Sequence, residues 1–241
     1  MAHRRTLSDL RLAIRDNLDE STAAFWTNAQ LNRFINRAKD RAWTEVRKLK
    51  SDYFLTNRVS TDGTVTILGE SYDTASFQIP TGNTFTRTLP PDFTEMKRIE
   101  VTTSTYEDVQ FQHVDYAHPE FRALRSITDD QSPDYFIFDI VAERTMVYAP
   151  RSDTALDLRI WYVPIVADLT TDTDTLEMPW PLYKAVEEFA TSGALKMDRD
   201  PNAAVWEASG NATVANAFGA HARQIQDPEF VESYLHHITG Y

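Results

Sequence analysis

One short polar cluster near the middle of the chain has the side chains and the spacing of a possible metal site. His113, Asp115, His118 and Glu120 fall within eight positions, and two histidines with two carboxylates make a ligand set that zinc or iron can use. The same residues also fit a polar strand end that runs into a turn and a helix cap, and we prefer this structural interpretation. We therefore expect neither a metal ion nor another cofactor here.

Other catalytic patterns are missing from the sequence. The chain has no cysteine, which excludes thiol nucleophiles, disulfides, and zinc or iron–sulfur sites with cysteine ligands. The glycine-rich phosphate motifs, the nucleophile motif G-x-S-x-G and the zinc motif H-E-x-x-H do not occur. The adjacent Glu187 and Glu188 have no partner acid in a recognisable frame. We therefore predict no catalytic residue and expect that the protein is not an enzyme.

The charge is divided unevenly along the chain. The formal net charge of the 241 residues is −12, but residues 1–50 carry a balance of +5 and residues 51–241 a balance of −17. Such a dipolar surface suits head-to-tail contact between copies, and the alternative is a helix with a solvated basic face. The basic side chains that are candidates for a subunit interface are Arg33, Arg37, Arg41, Arg47 and Lys48. No nucleic-acid recognition motif accompanies them, and the acidic protein would repel phosphate.

Helices are predicted towards both ends of the chain. Thr6 or Ser8 can cap a first helix, and Thr27 with Gln30 has the capping-box form at the start of a second. Pro181 opens a third helix, and a fourth follows it. The apolar stripe predicted for the second helix consists of Leu31, Phe34, Ile35, Ala38, Ala42, Val46 and Leu49. The stripe predicted for the fourth helix consists of Val205, Ala208, Ala212, Ala215, Phe218 and Ala222.

Between the helices the sequence changes to short segments rich in threonine and aromatic residues, which predict strands. The strand candidates lie near 59 and at 64–67, 77–79, 85–89, 96–102, 109–114, 135–140, 144–148 and 156–163. The pair 135–140 and 144–148 predicts a hairpin, and residues 116–124 predict a short helix.

This order of elements predicts an α+β fold, in which the N- and C-terminal helices form an antiparallel helical bundle with an inserted antiparallel β domain. The predicted boundaries are 1–57 with 178–226 for the bundle, 58–163 for the β domain, 164–177 for a solvated acidic linker and 227–241 for a C-terminal extension. The apolar runs fall short of the roughly 18 residues of a membrane span, so we expect no membrane partner.

Four tryptophans could form a stacking platform for sugars or bases. Trp26, Trp43, Trp161 and Trp180 lie within or beside the predicted apolar stripes. Large aromatic side chains in such positions usually supply buried area, so we predict that these four pack in the core.

Four segments, in a fixed order, carry a resemblance to a known family. They are Phe25-Trp26-Thr27-Asn28-Ala29-Gln30-Leu31-Asn32-Arg33-Phe34-Ile35-Asn36-Arg37-Ala38; Leu89-Pro90-Pro91-Asp92-Phe93-Thr94-Glu95-Met96; Ser132-Pro133-Asp134-Tyr135-Phe136 with Val147-Tyr148-Ala149-Pro150 and Leu158-Arg159-Ile160-Trp161-Tyr162; and Met178-Pro179-Trp180-Pro181-Leu182-Tyr183-Lys184-Ala185-Val186. In this order they resemble the head-to-tail connector proteins of tailed bacteriophages, which are also called portal adaptor or neck proteins.

The resemblance implies a structural virion protein at the head–tail junction, assembled in the host cytoplasm. It implies a twelvefold ring of copies that docks under the portal protein, continues the DNA channel without specific DNA binding, and offers a platform to a tail protein (a nozzle, hub or tail terminator). In such proteins the C-terminal segment often embeds in the portal. The portal-binding residues implied in this sequence are Phe230, Tyr234, Leu235, Ile238 and Tyr241.

Two alternative functions stay open. A tail-associated cell-wall hydrolase would need two carboxylates facing each other across a cleft, and the sequence identifies no such pair. A carbohydrate-binding virion protein would need surface aromatic side chains, for which Tyr106 and Tyr116 are the candidates.

Overall fold

The computed structural model describes residues 5–20, 25–50, 53–82, 84–103, 109–126 and 135–225, with side chains to residue 217. The α-helices within these ranges are α1 (Leu7–Asn17), α2 (Asn28–Leu49), α3 (Pro119–Arg125), α4 (Pro181–Met197) and α5 (Ala203–Ile225). The strands are β1 (Thr56–Val59), β2 (Thr64–Ile67), β3 (Glu70–Asp73), β4 (Thr86–Thr88), β5 (Phe93–Val101), β6 (Gln110–His113), β7 (Tyr135–Ala142), β8 (Thr145–Ala149) and β9 (Leu158–Pro164). The α+β class predicted from the sequence is confirmed.

The chain divides into two compact units. We call the first the helical unit; it consists of Met1–Tyr53 with Val166–Tyr241 and contains α1, α2, α4 and α5. We call the second the strand unit; it consists of Phe54–Ile165 and contains the strands and α3. The helical unit is thus built from two segments that are far apart in sequence, whereas the strand unit is one continuous segment.

Side-chain caps fix where the first two helices begin. Thr6 accepts a hydrogen bond from the backbone amide of Asp9, and the Asp9 carboxylate accepts one from the amide of Thr6 at 2.9 Å. Thr27 and Gln30 form the same reciprocal pair at the start of α2. Each box satisfies two amides that the helix itself leaves without partners. The capping box predicted at Thr27 is therefore confirmed, and Thr6 is the cap of α1.

Helix α4 occupies the centre of the helical unit, where it packs against α1, α2 and α5. The apolar side chains that these helices bury include Leu7, Leu10, Ile14, Leu31, Ile35, Ala38, Ala42, Val46, Leu182, Ala185, Val186, Phe189, Ala190, Ala194 and Val214. The predicted stripe of α2 is confirmed along most of its length, although Leu49 at its end is exposed.

The stripe predicted for α5 is wrong at its first four positions, and its last two members, Phe218 and Ala222, lie outside the residues whose side chains the structure describes. Val205, Ala208, Ala212 and Ala215 face solvent, and Gly210 lies on the face that packs. A β-carbon at Gly210 would stand 2.6 Å from the ring of Phe189. The two helices approach so closely there that only a glycine leaves room for the ring, and this contact decides which face of α5 is buried.

The segment Val166–Met178, which we call the strap, is fixed on the helical unit and is not the solvated linker that the sequence predicted. Leu169 and Leu176 are buried. The strap also exchanges backbone hydrogen bonds with the start of α1, from Leu7 to Asp174 at 2.8 Å and from Leu176 to Arg5 at 3.0 Å. Leu169, Leu176 and Met178 turn inwards, whereas Asp168, Asp172 and Glu177 are exposed, so composition alone does not distinguish the strap from a linker.

The strand unit contains three sheets, with strand orders β1-β9-β5, β2-β3 and β4-β8-β7-β6. Their pairings are antiparallel except that β6 runs parallel to β7, which departs from the wholly antiparallel domain predicted. The predicted hairpin is confirmed as β7 and β8. The strand predicted at 77–79 is wrong, because residues 74–77 form a 3₁₀-helix capped by Asp73 and Ile79 makes an isolated bridge to Leu156. The buried aromatic core of this unit includes Tyr72, Phe77, Phe93, Phe136, Phe138, Tyr148 and Tyr162.

Candidate interaction surface

The solvent face of α2 carries the basic side chains that the sequence proposed for a subunit interface, and the structure separates them into two groups. Three are engaged within the chain. Arg41 makes an ion pair with Glu207 at 2.5 Å, Arg47 stacks 4.5 Å from the ring centroid of Trp43, and Lys48 contacts Glu45 at 2.8 Å.

The remaining two, Arg33 and Arg37, are both exposed. They lie one helical turn apart, so their guanidinium groups share one face of α2. Within the described part of the chain, neither makes an ion pair or a side-chain hydrogen bond. Because an arginine fork is built to bind carboxylates in two-point contacts, this pair is the strongest candidate on α2 for contact with an acidic partner.

Lys39 lies on the opposite side of α2 and is fully buried. Its ammonium group donates to the carbonyl oxygens of Val166 and Ala167, each at 3.0 Å, and to the carboxylate of Asp168 at 2.5 Å. These three bonds use the three hydrogens of the ammonium group, which satisfies the buried charge. Lys39 therefore fixes the strap to α2. The sequence did not reveal this role, because Lys39 and Asp168 are 129 positions apart.

The adjacent carboxylates on α4 are buried and also have partners inside the helical unit. Glu187 makes an ion pair with Arg5. Burial raises the pKa of Glu187 above its ordinary value, and Arg5 opposes that rise. Glu188 accepts hydrogen bonds from Ser209 at 2.8 Å and Thr213 at 2.6 Å. Both carboxylates thus bind neighbouring elements to α4 and do not face a common cleft.

The polar cluster considered as a metal site holds a turn and a helix end. His118 is the N-cap of α3, and its Nδ1 accepts a hydrogen bond from the amide of Glu120 at 3.3 Å. His113 contacts Asp139 at 3.1 Å, and Asp115 accepts a bond from the amide of Ala117 at 2.7 Å. Among the residues that the structure describes, no group of three or more histidine, aspartate or glutamate side chains could hold a metal ion.

Asp139 also belongs to this polar cluster, although the sequence did not place it there. Its carboxylate accepts hydrogen bonds from the amides of Tyr116 and Ile140. Partial burial raises the pKa of Asp139. The two hydrogen bonds and the contact with His113 together lower it by more than burial raises it, so the net shift of the pKa is downward. Asp139 lies 26 positions after His113, so only the pairing of β6 with β7 reveals the contact.

The aromatic candidates differ in their surroundings. Trp26 is buried, but Trp180 is 72% exposed, so the prediction of a core position is wrong for Trp180. It directly precedes Pro181 at the start of α4, where its ring is not covered. Tyr116 is 43% exposed, and its hydroxyl accepts a hydrogen bond from Arg125 at 2.7 Å. Tyr106 lies outside the described residues.

The portal-binding residues implied by the resemblance also lie outside the described residues. They are Phe230, Tyr234, Leu235, Ile238 and Tyr241. Among the helices that the structure describes, none combines the length and the apolar character needed to cross a membrane.

Comparison with known protein families matches residues 5–229 to the family described as SU10 adaptor protein. The match covers the whole strand unit, the strap and most of the helical unit. Comparison with curated proteins gives no match.

Proposed function

The chain belongs to the SU10 adaptor protein family, and from this premise we propose that it joins the phage head to the tail as a ring of twelve copies under the portal protein. The single observation that carries the proposal is the family match across both units. Membership confirms the connector resemblance and makes the protein a structural component of the virion. The ring, the portal contact, the tail contact and the position at the head–tail junction are parts of the proposal.

In this proposal the helical unit is an antiparallel bundle that builds the ring, and the strand unit is a domain inserted into it that faces the tail protein. The boundaries follow the two compact units, so the strap belongs to the bundle. The C-terminal residues from 227 onwards bind the portal. The acidic remainder of the chain repels DNA phosphates, which favours passage of DNA through the ring without tight binding.

Arg33 and Arg37 bind an acidic surface of the adjacent copy in this ring. Support comes from their exposure and from the absence of partners for them among the described residues. Arg41, Arg47 and Lys48 keep their intramolecular contacts and contribute less. A contact between unlike charges suits a head-to-tail ring, in which each copy presents two different surfaces.

Mass measurement with purified portal protein tests the ring. We expect a complex that contains twelve copies of this chain per portal ring, whether or not the free chain is monomeric. A chain that stays monomeric and shows no affinity for the portal would contradict the proposal.

A matched pair of variants tests the arginine contact. Arg33→Glu with Arg37→Glu should reduce ring formation on the portal at least tenfold, because like charges would then oppose each other. Arg122→Glu with Arg199→Glu makes the same change in net charge at two other exposed positions and should leave assembly within twofold. Equal losses in the two variants would show that net charge, and not this pair of arginines, controls assembly.

A further inference from the structure

Two sheet edges in the strand unit lie beside each other, and among the described residues no strand lies between them. β5 is the last strand of the sheet β1-β9-β5, and β6 is the last strand of the sheet β4-β8-β7-β6. Within the described residues, β5 pairs only with β9 and β6 pairs only with β7. An edge strand presents backbone amides and carbonyls that can pair with another chain.

A cleft of about 800 Å³ opens between these edges and is lined by both. Its apolar lining includes Met96 from β5, Val109 and Phe111 at β6, and Ile140 from β7. These four side chains are only partly buried, and they pack against the aromatic core of the unit. The cleft therefore exposes the side of the core to solvent, and apolar area there gains free energy when a partner covers it.

The charges along the rim of the cleft form close pairs. Lys97 contacts Glu95 at 2.7 Å and Arg98 contacts Glu100 at 2.9 Å. On the other rim, His113 contacts Asp139 at 3.1 Å. A rim with balanced charges matches an uncharged occupant and gives no excess of positive charge for a phosphate backbone or an acidic segment.

We propose that this cleft binds an extended, uncharged segment of another virion protein, which adds a strand to the edge of β5 or β6. Backbone pairing supplies affinity, and the apolar lining selects a segment with apolar side chains at every second position. β5 has nine residues, and its pairing with β9 is irregular between Phe93 and Glu95 and between Met96 and Arg98 but regular over Arg98–Val101. At roughly 3.3 Å per residue, this regular part of the edge is long enough for a segment of about four residues. The inference rests on the proposed function, because it takes the occupant from the virion.

Photocrosslinking in assembled virions tests this site. A benzoylphenylalanine in place of Gln110, which lines the cleft, should crosslink to a segment of a different virion protein that alternates apolar and polar residues. The same probe in place of Thr66, an exposed residue of β2, should not capture that segment. Crosslinks from Gln110 only to copies of this chain, to a segment without the alternation, or to no protein would overturn the proposal.

Two substitutions test whether the lining is responsible. Met96→Glu should reduce the Gln110 crosslink at least tenfold, because it places a charge on the apolar lining. Val65→Glu is the matched control, since Val65 is also partly buried against the same core but lies outside the cleft; it should leave the crosslink within twofold. Met96→Gln is a milder variant in case the charge unfolds the unit, and it should still reduce the crosslink about fivefold. An unchanged yield in a folded Met96 variant would overturn the proposal.

This experiment distinguishes a failure of the cleft proposal from a failure of the adaptor function. Virions that contain the Gln110 variant but yield no crosslink to another protein would refute the cleft proposal and leave the adaptor function intact. Absence of the wild-type chain from purified virions would refute the adaptor function, and the cleft proposal with it.

Discussion

The two units of the chain are stabilised in different ways. Among the described residues, the helical unit buries five charged side chains, which are Arg11, Arg15, Lys39, Glu187 and Glu188, whereas the strand unit buries one, Asp92. The strand unit depends instead on aromatic contacts, such as Phe111 with Phe136 at 5.2 Å between ring centroids.

The difference follows from how each unit is assembled from the sequence. The helical unit joins segments that are 129 positions apart at Lys39 and Asp168 and 161 positions apart at Arg11 and Asp172. Hydrogen bonds to buried charges are directional and costly to leave unmade, so they specify which remote segments meet. The strand unit is continuous, and close packing of aromatic side chains is sufficient to order its strands.

The largest effect should come from truncating the aromatic core of the strand unit. Phe136 is fully buried, and Phe136→Ala should reduce the free energy of unfolding of that unit by about 3–5 kcal/mol. Hydrogen–deuterium exchange would detect the loss in amides of residues 54–165. The neighbouring Tyr135 is 41% exposed, so Tyr135→Ala should cost much less. Similar losses for the two would contradict the aromatic account of this unit.

Removing the buried ammonium group should have the next largest effect, in the helical unit. Lys39→Met keeps most of the apolar stem but loses three hydrogen bonds from a charged donor, so we expect a loss of about 2–4 kcal/mol. Faster exchange in the strap and in α2 would show it. Lys48→Met removes an exposed lysine and should change stability by at most about 1 kcal/mol. If Lys39→Met were as mild as this control, the strap would not depend on the buried charge.

Local signals made much of this fold predictable. The capping box at Thr27 and Gln30 depends on residues three positions apart, and the hairpin of β7 and β8 depends on adjacent segments. The short helix predicted at 116–124 is confirmed as α3, with its bounds shifted to Pro119–Arg125. In each of these cases the interactions that fix the element lie within it or beside it in sequence.

Contacts between remote segments explain what the sequence did not show. The buried face of α5 depends on the approach of Phe189 to Gly210, and a count of apolar residues instead selects the exposed alanines. A lysine is expected at the surface, and Lys39 is buried because the strap covers it. The cleft beside β5 lies between the edge strands of two sheets. The sequence of a single strand does not show that it is an edge strand or which edge lies beside it. The sequence also proposes Arg33 and Arg37 as interface residues. It does not show that they differ from Arg41, because the partner of Arg41 is the remote Glu207.

A smaller effect should appear where α4 and α5 approach each other. Gly210→Ala gains up to about 1 kcal/mol of helix propensity, but the new methyl group would overlap the ring of Phe189, and overpacking costs about 1–3 kcal/mol. We expect a net loss of about 1 kcal/mol in thermal or denaturant unfolding. Asn211→Ala, at the adjacent exposed position, should be neutral or slightly stabilising. A stabilised Gly210→Ala variant would show that the ring moves aside freely.

The smallest effects should be opposite changes in pH dependence within the strand unit. Burial raises the pKa of Asp92, although the hydroxyl of Tyr162, at 2.8 Å, and Arg58 partly oppose the rise. Between the ordinary aspartate pKa of about 3.9 and the raised folded value, the folded state binds more protons than the unfolded state. Stability therefore decreases as pH rises through that window, and Asp92→Asn should abolish the decrease.

Asp139 should behave in the opposite way, because its pKa is lowered in the folded state. Its contribution is complete above the ordinary aspartate pKa and is lost as pH falls through the lowered folded value. Asp139→Asn should therefore make the strand unit less sensitive to acid, while reducing its stability at neutral pH. Unfolding midpoints of both variants from pH 3 to 8 check this pair. Slopes that change in the same direction for both variants would show that burial does not raise the pKa of Asp92, the one charged side chain that the strand unit buries among its described residues. The contrast with the well-paired buried charges of the helical unit would then fail.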